Sequence, residues 1–282
     1  MGKLICGDSL RVLKKQPPKS VDTVIGSPPY PEKGERYGPG AKKWPTNDWV
    51  TWMAEVTVAA LAVSRNVVVW VVNGAVADGC YLPACEGLVW TLYQQGIRCE
   101  RPVVWSKNAP PNRGQNWFAN AWEYCLAFRP ADSTSYFDWE SIGTEPKFKA
   151  GGQFRQRNAK GDRKLGNLYP QVKLARPRDM IEADLEPLDV IRATVGGGHM
   201  GSKLAHCNHA PYPEKLVFPF VRALVPRGGT VCDPFCGSGT TLSVAEQLGV
   251  DWLGIDSDRA QIELCQRRIK ETREKMKGAA GG

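Results

Sequence analysis

The sequence predicts an α/β fold in which helices cover both faces of a mostly parallel, doubly wound β-sheet. Short apolar runs, typical of buried strands, alternate with longer amphipathic stretches over most of the 282 residues. This alternation implies a sheet whose two faces are both covered. A stretch rich in proline, glycine and basic residues interrupts the alternation between residues 130 and 205. We therefore expect one α/β domain with an insertion.

The individual elements follow from the apolar runs and from the turn residues between them. The predicted strands are Lys3–Cys6, Asp22–Ile25, Asn66–Val72, Cys99–Trp105, Tyr124–Phe128, Thr230–Cys232 and Trp252–Ile255. The predicted helices are Asp48–Ser64, Gly87–Gln95, Pro213–Leu224, Thr240–Leu248 and Asp258–Lys277.

Composition limits the class of protein. A hydrophobic content of 42%, together with 23% charged residues and 10 tryptophans, argues against wholesale disorder. The longest apolar run, Val67–Val72, has the length of a core strand and is far shorter than a membrane-spanning helix. The N-terminus runs directly into a strand-and-turn pattern and does not resemble a signal peptide. We expect a cytoplasmic protein with no membrane partner.

Nine cysteines are spread along the chain, at positions 6, 80, 85, 99, 125, 207, 232, 236 and 265. An odd number without paired short spacings favours reduced thiols over a disulfide framework. Cys207 lies between His206 and His209, a grouping found in metal sites, but the sequence offers no clear fourth ligand. We therefore expect no metal.

The positive charge is concentrated in one segment. The net charge is +8, and ten basic residues lie between residues 147 and 178 against the single acid Asp162. Phe148, Phe154 and Tyr169 are interleaved with them. Such a stretch suits the phosphates of a nucleic acid; the alternative is a charged face in contact with solvent. The candidate DNA-binding residues are Lys147, Lys149, Arg155, Arg157, Lys160, Arg163 and Lys164.

A stiff turn follows the second predicted strand. The tetrapeptide Ser27-Pro28-Pro29-Tyr30 comes directly after Gly26. Two consecutive prolines fix the backbone and donate no ladder hydrogen bond, so the strand must end there. The turn holds a hydroxyl beside an aromatic ring. By itself, the tetrapeptide is also typical of polyproline-II ligands and of ordinary turns.

A glycine-rich turn near the other end of the chain is the strongest local signal. The strand Thr230–Cys232 leads through Asp233 into a turn with Gly237 and Gly239, and a helix follows. The glycines permit positive φ and close approach of a ligand, and the N-terminus of the helix behind them is partly positive. The next strand ends in Asp256, where an acid can bind both ribose hydroxyls of a nucleoside. A dinucleotide site is the rival, but the G-x-G-x-x-G spacing is missing.

Together these two signals resemble the motifs of DNA amino-methyltransferases. The run Asp233-Pro234-Phe235-Cys236-Gly237-Ser238-Gly239-Thr240-Thr241 is similar to their S-adenosylmethionine-binding motif, and Ser27-Pro28-Pro29-Tyr30 is similar to their catalytic motif. The order of the motifs, with the catalytic one first and a variable segment between them, resembles the β class of the family. Permuting the chain leaves the contacts of a sheet intact. The resemblance covers most of the chain and leaves residues 130–187 unspecified.

This resemblance implies a permuted, Rossmann-like fold of the S-adenosylmethionine-dependent methyltransferases. It divides the chain into a catalytic half (1–129), a basic target-recognition insertion (130–205), a cofactor-binding half (206–277) and a flexible tail (278–282). The implied catalytic residues are Ser27, Pro28, Pro29 and Tyr30. The implied cofactor is S-adenosylmethionine, bound by Asp8, Asp233, Pro234, Phe235, Gly237, Gly239, Thr240, Asp256, Tyr212 and Pro213.

Two further segments support these assignments. Gly7-Asp8 resembles the turn whose acid contacts the adenine of the cofactor, and residues 210–216 resemble the segment that closes over its methionine part. Many members carry a histidine two positions before the alanine of that segment. Here Asn208 occupies this place and His209 adjoins the alanine, so we assign no contact to His209.

The catalytic motif suits methylation of an exocyclic amine of a DNA base. Such an amine is a poor nucleophile, because its lone pair is delocalised into the ring. The Ser27 hydroxyl and the Pro28 carbonyl are candidate acceptors that would make the nitrogen more pyramidal. Tyr30 can stack on the base once it has rotated out of the double helix. No covalent intermediate is required, and the Pro-Cys-Gln motif of the C5-cytosine enzymes is not present.

Serine in the first motif position resembles the enzymes specific for N4 of cytosine, whereas N6-adenine enzymes more often carry aspartate. We therefore expect site-specific methylation of cytosine in double-stranded DNA by a bacterial, archaeal or phage-encoded enzyme, with N6 of adenine as the alternative. Methylation of RNA or of a protein glutamine is disfavoured by the motif order. A catalytically inactive DNA-binding protein with this fold is a third hypothesis, which the intact motifs disfavour. The sequence does not decide which target sequence is methylated, whether the protein forms a homodimer, or whether it acts with a cognate restriction endonuclease.

Overall fold

The computed structural model describes residues 2–34, 42–107, 122–131, 133, 135–143, 153–157, 163–168, 173–176, 180–181, 202–207 and 211–280. In chain order, the elements of these residues are β1 (Gly2–Cys6), α1 (Ser9–Leu13), β2 (Thr23–Gly26), α2 (Thr46–Val63), β3 (Val68–Val72), β4 (Ala75–Ala77), β5 (Cys80–Leu82), α3 (Ala84–Gln94), β6 (Ile97–Cys99), β7 (Val103–Ser106), β8 (Trp122–Pro130), β9 (Gln153–Arg157), β10 (Arg163–Leu168), β11 (Met180–Ile181), α4 (Glu214–Leu224), β12 (Thr230–Asp233), α5 (Thr240–Leu248), β13 (Asp251–Asp256) and α6 (Arg259–Ala280). Two 3₁₀ turns cover Trp139–Ile142 and Lys203–Cys207.

Nine of these strands form one sheet in the order β1-β13-β12-β2-β3-β8-β7-β11, with β6 also paired to β8. The first five strands in this order, which are β1, β13, β12, β2 and β3, run parallel to one another. Strand β8 runs antiparallel to β3, β6 and β7. The C-terminal strands β12 and β13 lie between the N-terminal strands β1 and β2. The predicted mostly parallel sheet, assembled from permuted parts of the chain, is therefore confirmed.

Both faces of the sheet are covered by helices, as the doubly wound prediction requires. Alternate residues of the central strand β3 point to opposite faces. Val69 and Val71 pack with Leu216 and Val221 of α4 and with residues of α5 and α6, whereas Trp70 packs with residues of α2 and α3. All five residues of β3 are buried, as expected for a strand covered on both sides.

Several elements differ from the prediction. The predicted strand Cys99–Trp105 is two strands, β6 and β7, because Pro102 has no N–H to donate to the ladder. The pairing with β8 shifts by one residue across this break, from Cys99 opposite Phe128 to Val103 opposite Cys125. Helix α6 continues to Ala280, so the predicted helix end at Lys277 is too early.

Helix α1 and the short hairpins β4–β5 and β9–β10 were not predicted from the sequence. Each of these elements has only three to six residues, which is too short for a hydrophobic period to become visible. The basic segment contains the antiparallel pair β9–β10. The described residues contain no helix with both the length and the apolar character that crossing a membrane requires.

Candidate functional site

The two sequence motifs meet at a cavity of about 400 Å³ at the carboxyl ends of β2, β12 and β13. They come together because β2 and β12 are neighbours in the sheet, with Val24 opposite Cys232. Of the residues predicted from the sequence, those in the cavity wall are Asp8, Ser27, Pro29, Tyr212, Pro234, Phe235, Gly237, Thr240 and Asp256. Pro28, Tyr30, Pro213, Asp233 and Gly239 adjoin these residues in the chain but are not part of the wall.

The turn between β12 and α5 has the backbone conformation expected of a ligand-binding loop. Gly237 and Gly239 have φ of 46° and 82°, in the left-handed region that favours glycine. A Cβ atom at Gly239 would also collide with the Sγ of Cys265 on α6. The loop therefore passes close to α6, and α5 begins at Thr240 with its partly positive end at the cavity.

Asp256 is fixed at the cavity by the backbone. Its Oδ2 accepts a hydrogen bond from the Gly237 N–H at 2.9 Å, and its Oδ1 accepts one from the Asp258 N–H at 2.9 Å. Burial raises the pKa of this carboxyl, and these hydrogen bonds act in the opposite direction. Each carboxylate oxygen has further lone pairs, so the side chain can still accept from hydroxyl groups of a ligand.

Asp8 lies at the N-terminus of α1 on the same wall. Its carboxylate accepts from the Arg11 N–H at 2.9 Å and caps the helix. The next residue, Ser9, donates to the Pro234 carbonyl at 2.5 Å and ties α1 to the glycine-rich loop. Sequence reasoning missed Ser9, which also lines the cavity, because a lone serine after an aspartate carries no distinctive signal.

Asp233 organises the base of the loop. It is fully buried, and its Oδ1 accepts from the Phe235 N–H at 3.0 Å. Its Oδ2 accepts from the Tyr212 hydroxyl at 3.0 Å, and this hydroxyl lies 2.5 Å from the Thr241 Oγ1. Burial raises the pKa of Asp233 to about 6, against the lowering effect of the hydrogen bonds from Thr241, Phe235 and Tyr212. The carboxylate therefore carries its charge at neutral pH at an energetic cost.

The Ser-Pro-Pro-Tyr turn is held from two sides. The Pro29 carbonyl accepts from the Trp49 Nε1–H of α2 at 2.7 Å. The Tyr30 hydroxyl donates to the Glu123 Oε2 of β8 at 2.6 Å. Pro28 is buried, whereas Ser27 and Tyr30 are partly exposed. The hydroxyl and the ring are therefore presented on a rigid turn.

A column of aromatic rings forms another part of the wall, and of its three members only Phe235 was predicted from the sequence. Trp44 and Trp52 stack with centroids 4.7 Å apart, and Trp52 meets Phe235 edge-on at 5.8 Å. The Nζ of Lys42 lies 3.5 Å from the centroid of Trp44. Trp52 belongs to the apolar helix α2, so nothing in the sequence distinguishes it from residues that pack in the core.

A buried arginine supports the glycine-rich loop from behind. Arg268 of α6 is fully buried and donates to Thr240 Oγ1 at 2.9 Å and to Ser238 Oγ at 3.3 Å. Its other terminal nitrogen donates to the Glu214 Oε1 of α4 at 2.8 Å. This network joins α4, α6 and the loop. Its sequence signal was weak, because an arginine in a polar helix is normally exposed.

The predicted DNA-binding residues are only partly described. Arg155 and Arg157 lie on β9, and Arg163 and Lys164 lie on β10, where Arg163 pairs with Arg157 in the antiparallel register. Lys147, Lys149 and Lys160 lie outside the described residues, as do Asn208 and His209. In the described part of the chain, no group of three or more metal-ligating side chains is found.

Comparison with known proteins gives consistent findings. The family model N6_N4_Mtase, described as DNA methylase, matches residues 21–267. The type II methyltransferase M2.LlaDCHI of Lactococcus lactis subsp. cremoris is 24% identical over 284 residues, which cover 95% of this chain and 89% of that protein.

Two solved structures share the fold. The cytosine-N4-specific PvuII DNA methyltransferase is similar with a TM-score of 0.67 and 18% identity, over 95% of this chain and 86% of that one. The protein TTHA0409 from Thermus thermophilus, solved in complex with S-adenosyl-L-methionine, has a TM-score of 0.63 and 20% identity, over 96% of this chain and 94% of that one. At these identities, the likeness is one of fold.

Proposed function

Because the chain belongs to the N6_N4_Mtase family of DNA methylases, we propose that it transfers a methyl group from S-adenosylmethionine to the exocyclic N4 amine of a cytosine in double-stranded DNA. Family membership agrees with the resemblance recognised in the sequence, and the fold is that of methyltransferases dependent on S-adenosylmethionine. The observation that carries the proposal is the shared cavity, in which Ser27 and Pro29 line one part of the wall and Gly237 and Asp256 line another.

The cofactor half of the cavity suits a nucleoside that carries a cationic side chain. Asp256 is oriented to accept from the ribose hydroxyls, and the exposed Asp8 adjoins it on the wall. The left-handed backbone at Gly237 and Gly239 allows close approach of the donor. When bound, S-adenosylmethionine supplies an electrophilic methyl carbon on a sulfonium. The acidic groups of the wall, Asp8, Asp256 and Asp258, favour binding of its positive charges.

The Ser-Pro-Pro-Tyr turn, of which Ser27 and Pro29 line the cavity, holds and activates the amine. The Ser27 hydroxyl and the Pro28 carbonyl accept from the two N–H groups of the target amine and favour a pyramidal nitrogen. Tyr30 stacks on the base after it has left the double helix. Because its hydroxyl and the Pro29 carbonyl are both held, the turn needs little reorganisation when the base arrives. Positioning of the amine against the methyl group then supplies most of the rate enhancement.

The choice of cytosine rests on Ser27 in the first position of the catalytic motif, as in the N4-cytosine enzymes that this motif resembles. The structural similarity to the cytosine-N4-specific PvuII enzyme is in line with this choice. The second candidate is N6 of adenine, since the family includes enzymes of both kinds. Both reactions would use the same acceptors and the same ring.

DNA is the proposed macromolecular partner. The hairpin β9–β10 carries four basic residues, Arg155, Arg157, Arg163 and Lys164, on strands that are directly paired. This concentration of positive charge suits the phosphates that position a duplex. The hairpin belongs to the insertion that we assign to target recognition.

The function is tested by identifying the methylated base. The protein is incubated with labelled S-adenosylmethionine and mixed-sequence DNA from a methylation-deficient host, and the DNA is then digested to nucleosides. Labelled N4-methylcytosine is the expected product. Labelled N6-methyladenine would establish the second candidate instead. Absence of label from DNA, with the donor bound normally, would refute both and support a DNA-binding protein without catalytic activity.

A further inference from the structure

The hydroxyl of Tyr30 is held from across the sheet. Tyr30 follows β2, whereas its hydrogen-bond partner Glu123 belongs to β8, and β3 lies between these two strands. The O···O distance of 2.6 Å is that of a short hydrogen bond to a carboxylate. The ring predicted to receive the base is therefore connected to a second strand.

Glu123 is nearly inaccessible to solvent and has two partners of different chemistry. It is 6% exposed, and its Oε1 forms an ion pair with the Nζ of Lys107, which follows β7. Burying a carboxylate is costly unless it is paired and hydrogen-bonded, and here an ammonium and a phenol share it. Burial lowers the pKa of Lys107 to about 8, although its contact with Glu123 favours the charged form.

The backbone of Glu123 is fixed on both sides. In the register of β8, Glu123 lies opposite Trp105 of β7, and the next residue, Tyr124, lies opposite Val72 of β3. Just beyond β3, the Asn73 Nδ2 donates to the Trp122 carbonyl at 3.0 Å. The carboxylate is therefore attached to a strand that is hydrogen-bonded along both edges and cannot easily follow a movement of Tyr30.

We propose that Glu123 is a positioning residue that holds the ring of Tyr30 at the angle required for stacking on the target base, with Lys107 as its counter-ion. The O–H bond of a phenol lies in the plane of its ring. A fixed acceptor therefore restricts both the position of the ring and its tilt. This inference rests on the proposed function, because it gives Tyr30 the role of the stacking residue.

The rival explanation is that the Tyr30 hydroxyl only satisfies a buried carboxylate and contributes stability. The two explanations differ in what they predict for turnover. A stabilising contact affects the melting temperature and leaves turnover of the folded enzyme unchanged. A positioning contact lowers turnover while the affinity for the donor stays the same, because Glu123 and Lys107 are not part of the cavity wall.

The test is a double-mutant cycle on the full chain with the variants Tyr30→Phe, Glu123→Gln and both together. Turnover is measured as transfer of labelled methyl to mixed-sequence DNA at saturating donor, the donor Kd by calorimetry, and folding by thermal melting. We expect Tyr30→Phe to lower kcat about 10-fold, as for the loss of one hydrogen bond to a charged group. Glu123→Gln should cause a similar loss, and the double variant should fall no further than the worse single variant, with the donor Kd within about twofold.

Glu86→Gln is the matched control. Glu86 also accepts hydrogen bonds from tyrosine hydroxyls, those of Tyr81 at 3.0 Å and Tyr124 at 3.1 Å, and it belongs to α3 rather than to the catalytic turn or β8. Its substitution should leave kcat unchanged. If Glu123→Gln does not fold, Tyr30→Phe alone decides, since it keeps the ring and the ion pair.

Independent, additive losses in the cycle would overturn the inference, as would full turnover by either single variant. An equal loss of turnover and donor affinity would also overturn it, because this would indicate a general disturbance of the cavity. If wild-type protein transfers methyl groups to DNA and the cycle is additive, only the role of Glu123 is wrong. If the wild-type protein transfers none, the proposed function itself fails.

Discussion

Replacing Asp233 with asparagine should change how the stability of the folded protein depends on pH, because it removes a buried group that ionises. The carboxyl is fully buried, and burial raises its pKa from 3.8 to about 6. Between pH 3.8 and about pH 6, the carboxyl is therefore mostly protonated in the folded state and mostly ionised in the unfolded state. The contribution of Asp233 to stability therefore falls as the pH rises from about 4 to above 6.

The expected magnitude follows from the shift. At about 1.36 kcal/mol for each pKa unit, the ionised Asp233 costs the folded state about 3 kcal/mol at neutral pH. Linkage places about 1 kcal/mol of this cost between pH 5 and pH 7.5. Asparagine keeps the shape of the side chain and can still accept from the Phe235 N–H. Because an amide does not ionise, it carries no ionisation cost at any pH.

The assay is urea unfolding of wild type and Asp233→Asn at pH 5 and at pH 7.5. The difference in unfolding free energy should shift by about 1 kcal/mol in favour of the variant from pH 5 to pH 7.5. A constant offset, for instance from an altered contact with Tyr212, does not affect this shift. Asp258→Asn, which replaces an exposed carboxylate of the same cavity wall, is the matched control for loss of charge. Parallel pH dependence in wild type and Asp233→Asn would refute the reasoning.

Three further predictions concern the catalytic turn, the basic hairpin and the buried arginine. Ser27→Ala should lower kcat at least about 100-fold, as for the loss of a preorganised acceptor, and leave the donor Kd unchanged. If single-turnover kinetics and calorimetry show equal losses of rate and of donor affinity, Ser27 does not act only on the amine. Neutralising Arg155, Arg157 and Arg163 together should reduce the slope of log K against log salt for DNA binding by about 3, whereas neutralising Lys270, Lys275 and Lys277 of α6 should leave it unaltered; a wild-type slope in the first variant would return the hairpin to a solvent-exposed role. Arg268→Met should lower the unfolding free energy by about 3 kcal/mol, because it leaves Glu214 without its buried partner, and an unchanged urea midpoint would contradict this.

The parts of the site that were predicted from the sequence are those written into short contiguous segments. The Ser-Pro-Pro-Tyr turn and the Asp233–Thr241 loop each combine a strand end with residues of restricted or unusual backbone, and these features need no tertiary context. Asp256 was placed because a strand end fixes where its side chain can lie. The pairing of β2 with β12 brings parts of both segments to one cavity.

The remaining parts of the site depend on contacts between residues that are distant in the chain. Trp52 lies in an apolar helix, and only the stacked Trp44 and the edge of Phe235 show that it lines the cavity. Glu123 and Lys107 are separated by residues outside the described part of the chain, and their pairing appears only when β7 and β8 are placed side by side. Arg268 resembles any other basic residue of a polar helix until its burial is known.

The placement of β12 and β13 between β1 and β2 has a consequence for biosynthesis. During synthesis, β1 and β2 leave the ribosome before their partners β13 and β12, which lie some two hundred residues further along the chain. The edges of β1 and β2 that pair with these strands are unpaired until then. Bare strand edges of this kind invite pairing with the wrong chain. We therefore expect the central sheet to form only after β12 and β13 have been synthesised, so the N-terminal portion is exposed to aggregation until then. Conversely, we expect the portions before and after a break between β11 and β12, made as separate polypeptides, to reassemble into one sheet when mixed. Such a break would not interrupt a connection between strands that are neighbours in the sheet.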